Sequence, residues 1–384
     1  MSCPVCESPR LRPFLSRPGV PVHQNLPLPS REAARAAPRG DLDLSACDDC
    51  GFVTNRSFDA RRLEYGAEYD NDQSCSTAFE HYVDGLIETI LQDGIRGKTV
   101  LEIGCGKGYF LTRLCARGDN RGIGVDATYV GPEEELGGRV RFVRQLYDGA
   151  VSVGRPDAIV CRHVIEHVPD PLQLLRSARA GADQGAPVRL FFETPDLRWI
   201  LENGVIQDFF YEHCSYFTAD SLALAFRRAG LTPTRVASVF SGQYLWVEAN
   251  GAPPPAETAK PPALRPLLDL YSSRERETLT AARRTLEDLH AAGGTAVWGA
   301  GAKGVTFLNL VDPEGTLVDC VVDVNPRKQG RFLPGTGHPI VGPESLAARG
   351  TREIVLMNPN YEHEVRSLLA GIKLQANLRA GHWS

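Results

Sequence analysis

The sequence predicts an α/β chain: a parallel-sheet core, a second and smaller α/β domain, and a compact cysteine-bearing module in front of both. Three observations carry this. Residues 80–250 alternate short β-like runs ("KTVLEIG", "RGIGVD", "DAIVCR", "VRLFFET") with helical stretches, the pattern of βαβ units. A proline-rich break at 250–266, "NGAPPPAETAKPPALRP", then ends that pattern with six Pro in seventeen residues. From 295 the alternation resumes ("TAVWGAG", "VDCVVDVN", "EIVLMN"). The expected boundaries are 1–65, 66–250, a linker at 251–266, and 267–384, with a long helix opening the last block and stopping at the pair Gly293–Gly294.

Bulk properties narrow the function. At 384 residues the chain exceeds one compact core. A net charge of −5 argues against partners read by bulk electrostatics, so neither nucleic acid nor an anionic membrane surface is expected. Anionic small molecules stay open, since they need only a few local donors. No apolar run approaches the ~20 residues of a membrane span, and "MSCPVCESPR" lacks the apolar stretch of a signal peptide. The expectation is a cytoplasmic protein, in which ten Cys serve metal binding or packing rather than disulfides.

In the first block, Cys3-x2-Cys6 and Cys47-x2-Cys50 form two CxxC knuckles. One tight turn lets two sulfurs face one ion, and two such turns complete a tetrahedral, closed site, so a structural zinc is predicted. The six other Cys stand singly and read as small core residues.

"KTVLEIGCGKGYFLTRL" (98–114) reads strand, glycine-rich turn, helix. Gly104, Gly106 and Gly108 allow close approach of a ligand to the backbone, and Glu102 ends the strand as an acceptor for an amine or hydroxyl. Asp126, in "RGIGVDA", ends the next strand, a usual place for a carboxylate that grips a ribose diol. This E-x-G-x-G-x-G turn with an acid on the second strand resembles the class I S-adenosylmethionine (SAM) methyltransferases. The resemblance implies a Rossmann-like SAM-binding core, with "RQLYDGA" (144–150) near the adenine and "DAIVCRHVIEHVPDP" (157–171) near the methionine moiety, Arg162 and His163 included. A nicotinamide-binding unit is the alternative, disfavoured by the acid that opens the turn and by the missing G-x-G-x-x-G frame.

Residues 208–217, "DFFYEHCSYF", follow the fifth strand, "LFFETP". They are similar to the Y-x-H-E-H-F-S-Y-F type motif of the sugar C-methyltransferases of deoxysugar pathways, and "GAGAKGVTFLN", "DVNPRKQGRFLPGT" and "HPI" resemble that family's last domain. The resemblance spans nearly the whole chain: zinc-binding domain, SAM domain, C-terminal Rossmann-like domain. It implies a small-molecule acceptor, a nucleotide-linked keto sugar. Methylating carbon beside a ketone requires loss of an α-proton to an enolate, so His213 is the expected base and His167 a second acid/base. Tyr211 is the expected partner of the oxyanion, and Glu212 is expected either to orient the imidazole or to bind a substrate hydroxyl. Tyr69 and Tyr216 are expected at the acceptor. The chain departs from the family at 68–76, where "EYDNDQSCS" stands in place of a Y-x-Y-x-S-S stretch, and at "FSGQYLWVEA" (240–249).

The second glycine loop, "TAVWGAGAKG", is a true G-x-G-x-x-G (Gly299, Gly301, Gly304) with Asp323 on the following strand. One reading is acceptor binding, with Lys303, Lys328 and Arg331 contacting a pyrophosphate. Others are plain scaffold and a nicotinamide site. Two rivals to methyl transfer therefore stand at this stage, a dehydrogenase built on this loop and a non-catalytic adaptor built on the cysteine module.

Overall fold

The computed structural model describes residues 2–63, 66, 68–147, 155–182, 188–252 and 263–380. Most of the proline-rich linker and the last three residues of "RQLYDGA" lie outside the described residues.

Three sheets organise the chain. The N-terminal module is a four-stranded antiparallel sheet in the order Leu11–Pro21, Arg39–Cys47, Val53–Asn55 and Ser215–Tyr216. Its last strand comes from the stretch after the core's fifth strand, Ser215 pairing with Thr54 and Tyr216 with Val53. A boundary at 65 therefore separates the chain but not the sheet. The period-2 pattern of the composition could not show this, because the strand is only two residues long.

The central sheet has eight strands. Thr99–Ile103 lies in the middle, with Arg121–Val125 and Val140–Val143 on one side and Ala158–Arg162 and Arg189–Pro195 on the other, all parallel. Tyr244–Asn250 adds antiparallel to Arg189–Pro195 and Thr232–Val239 antiparallel to that. The runs are apolar on both faces ("VLEI", "AIVC", "LFF" are all buried), as a sheet covered by helices requires. Helix Thr77–Gln92 covers one face with Phe79, Val83, Leu86, Ile87, Ile90 and Leu91, spaced three or four apart, and begins where the Ser76 hydroxyl accepts from the Phe79 amide.

The C-terminal sheet is entirely parallel, in the order Ile340–Val341, Cys320–Val322, Thr295–Trp298, Glu353–Leu356, Asn377–Ala380. The helix expected before it runs Arg265–Ala292 and stops at Gly293, whose φ of 85° needs glycine. Among the described residues no helix is long and apolar enough to cross a membrane.

Both parallel sheets reverse strand order beside their first strand, between Thr99–Ile103 and Ala158–Arg162 in one and between Thr295–Trp298 and Glu353–Leu356 in the other. Loops leaving such a point part to opposite faces and open a crevice at the carboxyl ends of the strands. Here the two crevices are one cavity. Gly304 holds its C-terminal side together: a Cβ there would overlap the carbonyl oxygen of Gly299, which cannot swing away as a side chain would. Gly304→Ala is expected to cost about 3 kcal/mol of stability, read as a lowered thermal unfolding midpoint. The strands of the central sheet should keep their hydrogen-exchange protection.

Candidate active site

The cavity holds about 370 Å³, within the range of small-molecule sites. Its wall is drawn from Glu102, Gly104, Gly106, Arg162 and His163 on the central sheet and from Gly299, Gly301, Lys303, Asp323 and Lys328 on the C-terminal sheet. Between them lie Asn25, Tyr69, Glu166, His167, Phe210, Glu212 and His213.

On the first glycine loop, Gly104 and Gly106 have φ of 72° and 55°, and a side chain at Gly106 would point into open space. Burial pushes Glu102 up to about 8, with Arg162 opposing and Asp126 reinforcing that rise. Its Oε2 is buried with no hydrogen-bond partner among the described residues. An orphaned carboxyl oxygen beside an open glycine cradle fits a ligand that brings its own donors, as the amino-acid and ribose ends of SAM do. Two residues of the expected cofactor set do something else. Gly108 caps the following helix at φ 81° and packs its Cα against the Phe142 ring, outside the cavity wall. Asp126 braces the loop: its Oδ2 accepts from the Gly106 amide at 2.8 Å and its Oδ1 from the Thr128 amide and hydroxyl at 2.6 and 2.7 Å.

At the end of the neighbouring strands sits a buried charged cluster that no local motif announced. Glu193 is fully buried, and burial alone would raise its pKa. Arg162 (2.7 Å), His163 (3.4 Å) and the Tyr82 hydroxyl outweigh burial and hold the carboxyl down to about 2. Burial likewise would lower His163, but Glu193 and Glu166 hold it up to about 9. His163 has φ 53°, which turns its ring toward the cavity, against the edge of Tyr244 at 4.6 Å between ring centres.

The stretch 208–217 divides. His213 lines the cavity with its Nδ1 buried and unpartnered among the described residues. Burial, and then the nearby His167, His163 and Lys303, push its pKa well below 6.5, so the imidazole is neutral and able to accept a proton. The His167 ring stands perpendicular to it, 4.7 Å between centres. Glu212 is fully buried and accepts from the Tyr69 hydroxyl and from the Gln24 amide, each at 2.6 Å. Those two donors, with His23 Nδ1 3.8 Å from its Oε1, occupy its carboxylate in place of the expected His213.

Three expected contacts are corrected. Tyr211 points away from the cavity: its oxygen accepts from the Asp59 amide at 2.8 Å and its ring packs on Phe58. Phe210 fills the cavity wall instead, its ring centre 4.1 Å from that of His213. Tyr216 is buried beneath, its hydroxyl bridging the amide and carbonyl of Phe210 at 3.1 and 3.2 Å. Residues 210–213 form a turn, the His213 amide donating to the Phe210 carbonyl at 3.2 Å, and that turn carries the Tyr211 ring to the Phe58 side while Phe210, Glu212 and His213 line the cavity. Arg331 lies outside the cavity wall and pairs with Glu68 at 2.6 Å.

The second glycine loop repeats the first. The Ala300 amide donates to Asp323 Oδ2 at 3.0 Å, and the Asn325 amide to Oδ1 at 2.9 Å. Lys303 reaches the cavity but is ion-paired with both oxygens of Asp208, and Lys328 lies 3.6 Å from Asp323. Loop and lysines are thus internally neutralised.

Outside the cavity wall, the four Sγ atoms of Cys3, Cys6, Cys47 and Cys50 all lie within 4.8 Å of one another, with Cys3–Cys50 at 3.6 Å and Cys6–Cys47 at 3.4 Å. A tetrahedron of ~2.3 Å Zn–S bonds has edges of ~3.8 Å, so the donor set fits one zinc ion.

Comparison with known proteins agrees with this geometry. A methyltransferase-domain family model matches residues 77–236, and a model described as the C-methyltransferase C-terminal domain matches 267–376. The chain is a SAM-dependent methyltransferase. This methyltransferase is 28% identical to the C-methyltransferase NovU of Streptomyces niveus over 94% of its own length and 90% of that protein. It is also 31% identical to a ubiquinone biosynthesis O-methyltransferase of Vibrio parahaemolyticus, over 27% of its own length and 46% of that protein. Among solved structures, a 1,6-didemethyltoxoflavin-N1-methyltransferase of Burkholderia thailandensis superposes at a TM-score of 0.36 with 22% identity, covering 46% of this chain and 79% of that one.

The His163–Glu193 pair sets a pH signature for the methyltransferase. Glu193, held at about 2 against an ordinary 4.5, contributes stability that is present above 4.5 and lost as pH falls below it. His163, held at about 9 against 6.5, contributes stability that is present below 6.5 and lost as pH rises to 9. Thermal stability should therefore decline between pH 6.5 and 9, and a His163→Asn protein should show a shallower decline over that window.

Proposed function

We propose that the methyltransferase transfers the SAM methyl group to a carbon α to the ketone of a nucleotide-linked keto-deoxysugar, through an enolate formed by His213. The neutral imidazole of His213 in the cavity, its Nδ1 buried and without a hydrogen-bond partner among the described residues, carries this reading. SAM supplies an electrophilic methyl on a sulfonium. Its amino-acid end would lie along Glu102, Arg162 and His163, and the glycine turn at Gly104 and Gly106 would pass close beneath it.

His213 takes the α-proton, and its depressed pKa makes the imidazolium a transient species that readily returns the proton to water. His167, perpendicular to it and on the same wall, would donate an N–H to the enolate oxygen. Tyr69 and Glu212, locked to each other, form a fixed polar edge for the sugar hydroxyls. The C-terminal glycine loop faces the same cavity, which supports binding of the nucleotide end there. The 28% identity to NovU along nearly the whole chain supports carbon as the methylated atom. The thiol cluster is proposed to hold one structural zinc, within a reducing, cytoplasmic setting that keeps the sulfurs available.

Labelled SAM offered with a panel of nucleotide-linked 4-keto-deoxysugars in D₂O tests the reaction. The expected outcome is label on carbon with one sugar, α-proton exchange by the wild type, and loss of both in His213→Ala by about 10²–10⁴-fold. Label on nitrogen or oxygen, or exchange that survives in His213→Ala, overturns the enolate step. The acid limb of kcat/KM should fall below pH 6.5 rather than at it, since His213 is depressed from that value.

Elemental analysis is expected to find one zinc per chain, lost in Cys47→Ser. Chelation should lower the unfolding midpoint without changing SAM affinity by more than about twofold, because Cys₄ sites are closed and structural.

A further inference from the structure

We infer that Arg17, in the N-terminal module, is a positioning residue for the His213 segment. The inference rests on the proposed role of His213. Arg17 lies on strand Leu11–Pro21 and its side chain is 5% exposed, a deep burial for a guanidinium. Its Nη1 donates to two backbone carbonyls, Ile206 at 2.8 Å and Phe209 at 3.0 Å. Its Nε and Nη2 donate to Glu275 Oε1 at 2.9 and 2.7 Å, and Nη2 also meets the Tyr271 hydroxyl at 3.3 Å. Glu275 and Tyr271 belong to the long helix Arg265–Ala292.

One planar fork therefore joins three parts of the chain: the cysteine module, the long helix, and the turn that leads into the site. The choice of acceptors is what points to positioning. Carbonyls at 206 and 209 bracket Asp208, the partner of Lys303, and the next residue, Phe210, packs on His213. From Phe210 the constraint continues through its amide and carbonyl, both bonded to the Tyr216 hydroxyl, and through the His213 amide, which donates to the Phe210 carbonyl at 3.2 Å. The Arg17 contact is thus linked to the His213 backbone through the hydrogen-bonded Phe210. Lysine could replace the charge opposite Glu275 but not the fork, because an ammonium cannot keep two carbonyls and a carboxylate in one plane.

The test is hydrogen exchange by mass spectrometry on the full-length protein with S-adenosylhomocysteine bound, comparing wild type with Arg17→Lys. Expected is exchange about tenfold or more faster in peptides covering 206–213, with strand Thr99–Ile103 within about twofold of wild type, and SAM affinity likewise unchanged. With a keto sugar that the wild type turns over, kcat should fall about 10–100-fold, the scale of a small misplacement of a reacting group, while the KM for SAM holds. Unchanged exchange at 206–213 in a folded variant overturns the inference, as does an unchanged kcat. If Arg17→Lys does not fold, Glu275→Gln releases the helix end of the same fork. It should speed exchange of 206–213 about threefold, and exchange equal to wild type overturns the inference. The exchange measurement needs no acceptor, so it stands or falls apart from the identity of the sugar.

Discussion

Glu193 sits at the carboxyl end of a central strand with no contact to solvent, and a carboxylate taken out of water must find charge and hydrogen bonds at once. It finds them in Arg162, His163 and Tyr82. Each of those contacts then fixes something else. The Arg162 guanidinium lies over the Phe110 ring at 4.5 Å, on the helix that the first glycine loop opens. Tyr82 ties helix Thr77–Gln92 down over the cavity, and His163 is turned toward the Tyr244 ring. The wall facing the reacting groups is built outward from one desolvated acid.

The same structural solution occurs twice. In both glycine loops an aspartate at the end of the second strand accepts from a loop amide with one oxygen and from the amide two residues onward with the other. The acid that would mark a ribose site in a dinucleotide fold is, in each sheet, a brace for the loop backbone. A G-x-G-x-x-G followed by an acid is therefore weak ground for a nicotinamide cofactor here, in a loop whose lysines are already paired.

The cavity closes only because distant segments meet. The stretch 68–76 is held to the C-terminal domain by Arg327 on Asp70 and Asp72, by Tyr361 on Gln73 at 2.9 Å, and by Glu364 on Ser76 at 2.6 Å. Gln243 and Asn358 exchange amide hydrogen bonds across the same gap at 2.9 and 3.2 Å. These contacts account for the residues that departed from the family pattern at 68–76 and 240–249: Asp70, Asp72 and Gln243 grip the opposing domain.

The sequence by itself determined the elements whose cause is local. Alternating β and α runs, the glycine turns and the CxxC pairs set two parallel sheets and a thiol module, because hydrophobic period, positive φ and ligand spacing act within a few residues. It also placed Glu102 at a strand end and His213 and His167 in the segments that follow strands, at the rim where parallel sheets bind ligands. Only the tertiary structure decided which neighbours face the cavity. Phe210 entered and Tyr211 turned away because the Asp59 amide took the phenol and Tyr216 pinned the backbone. Glu193 and Arg17 carry no motif, since their partners lie 31 and 258 residues away and exist only once the strands and the long helix are packed.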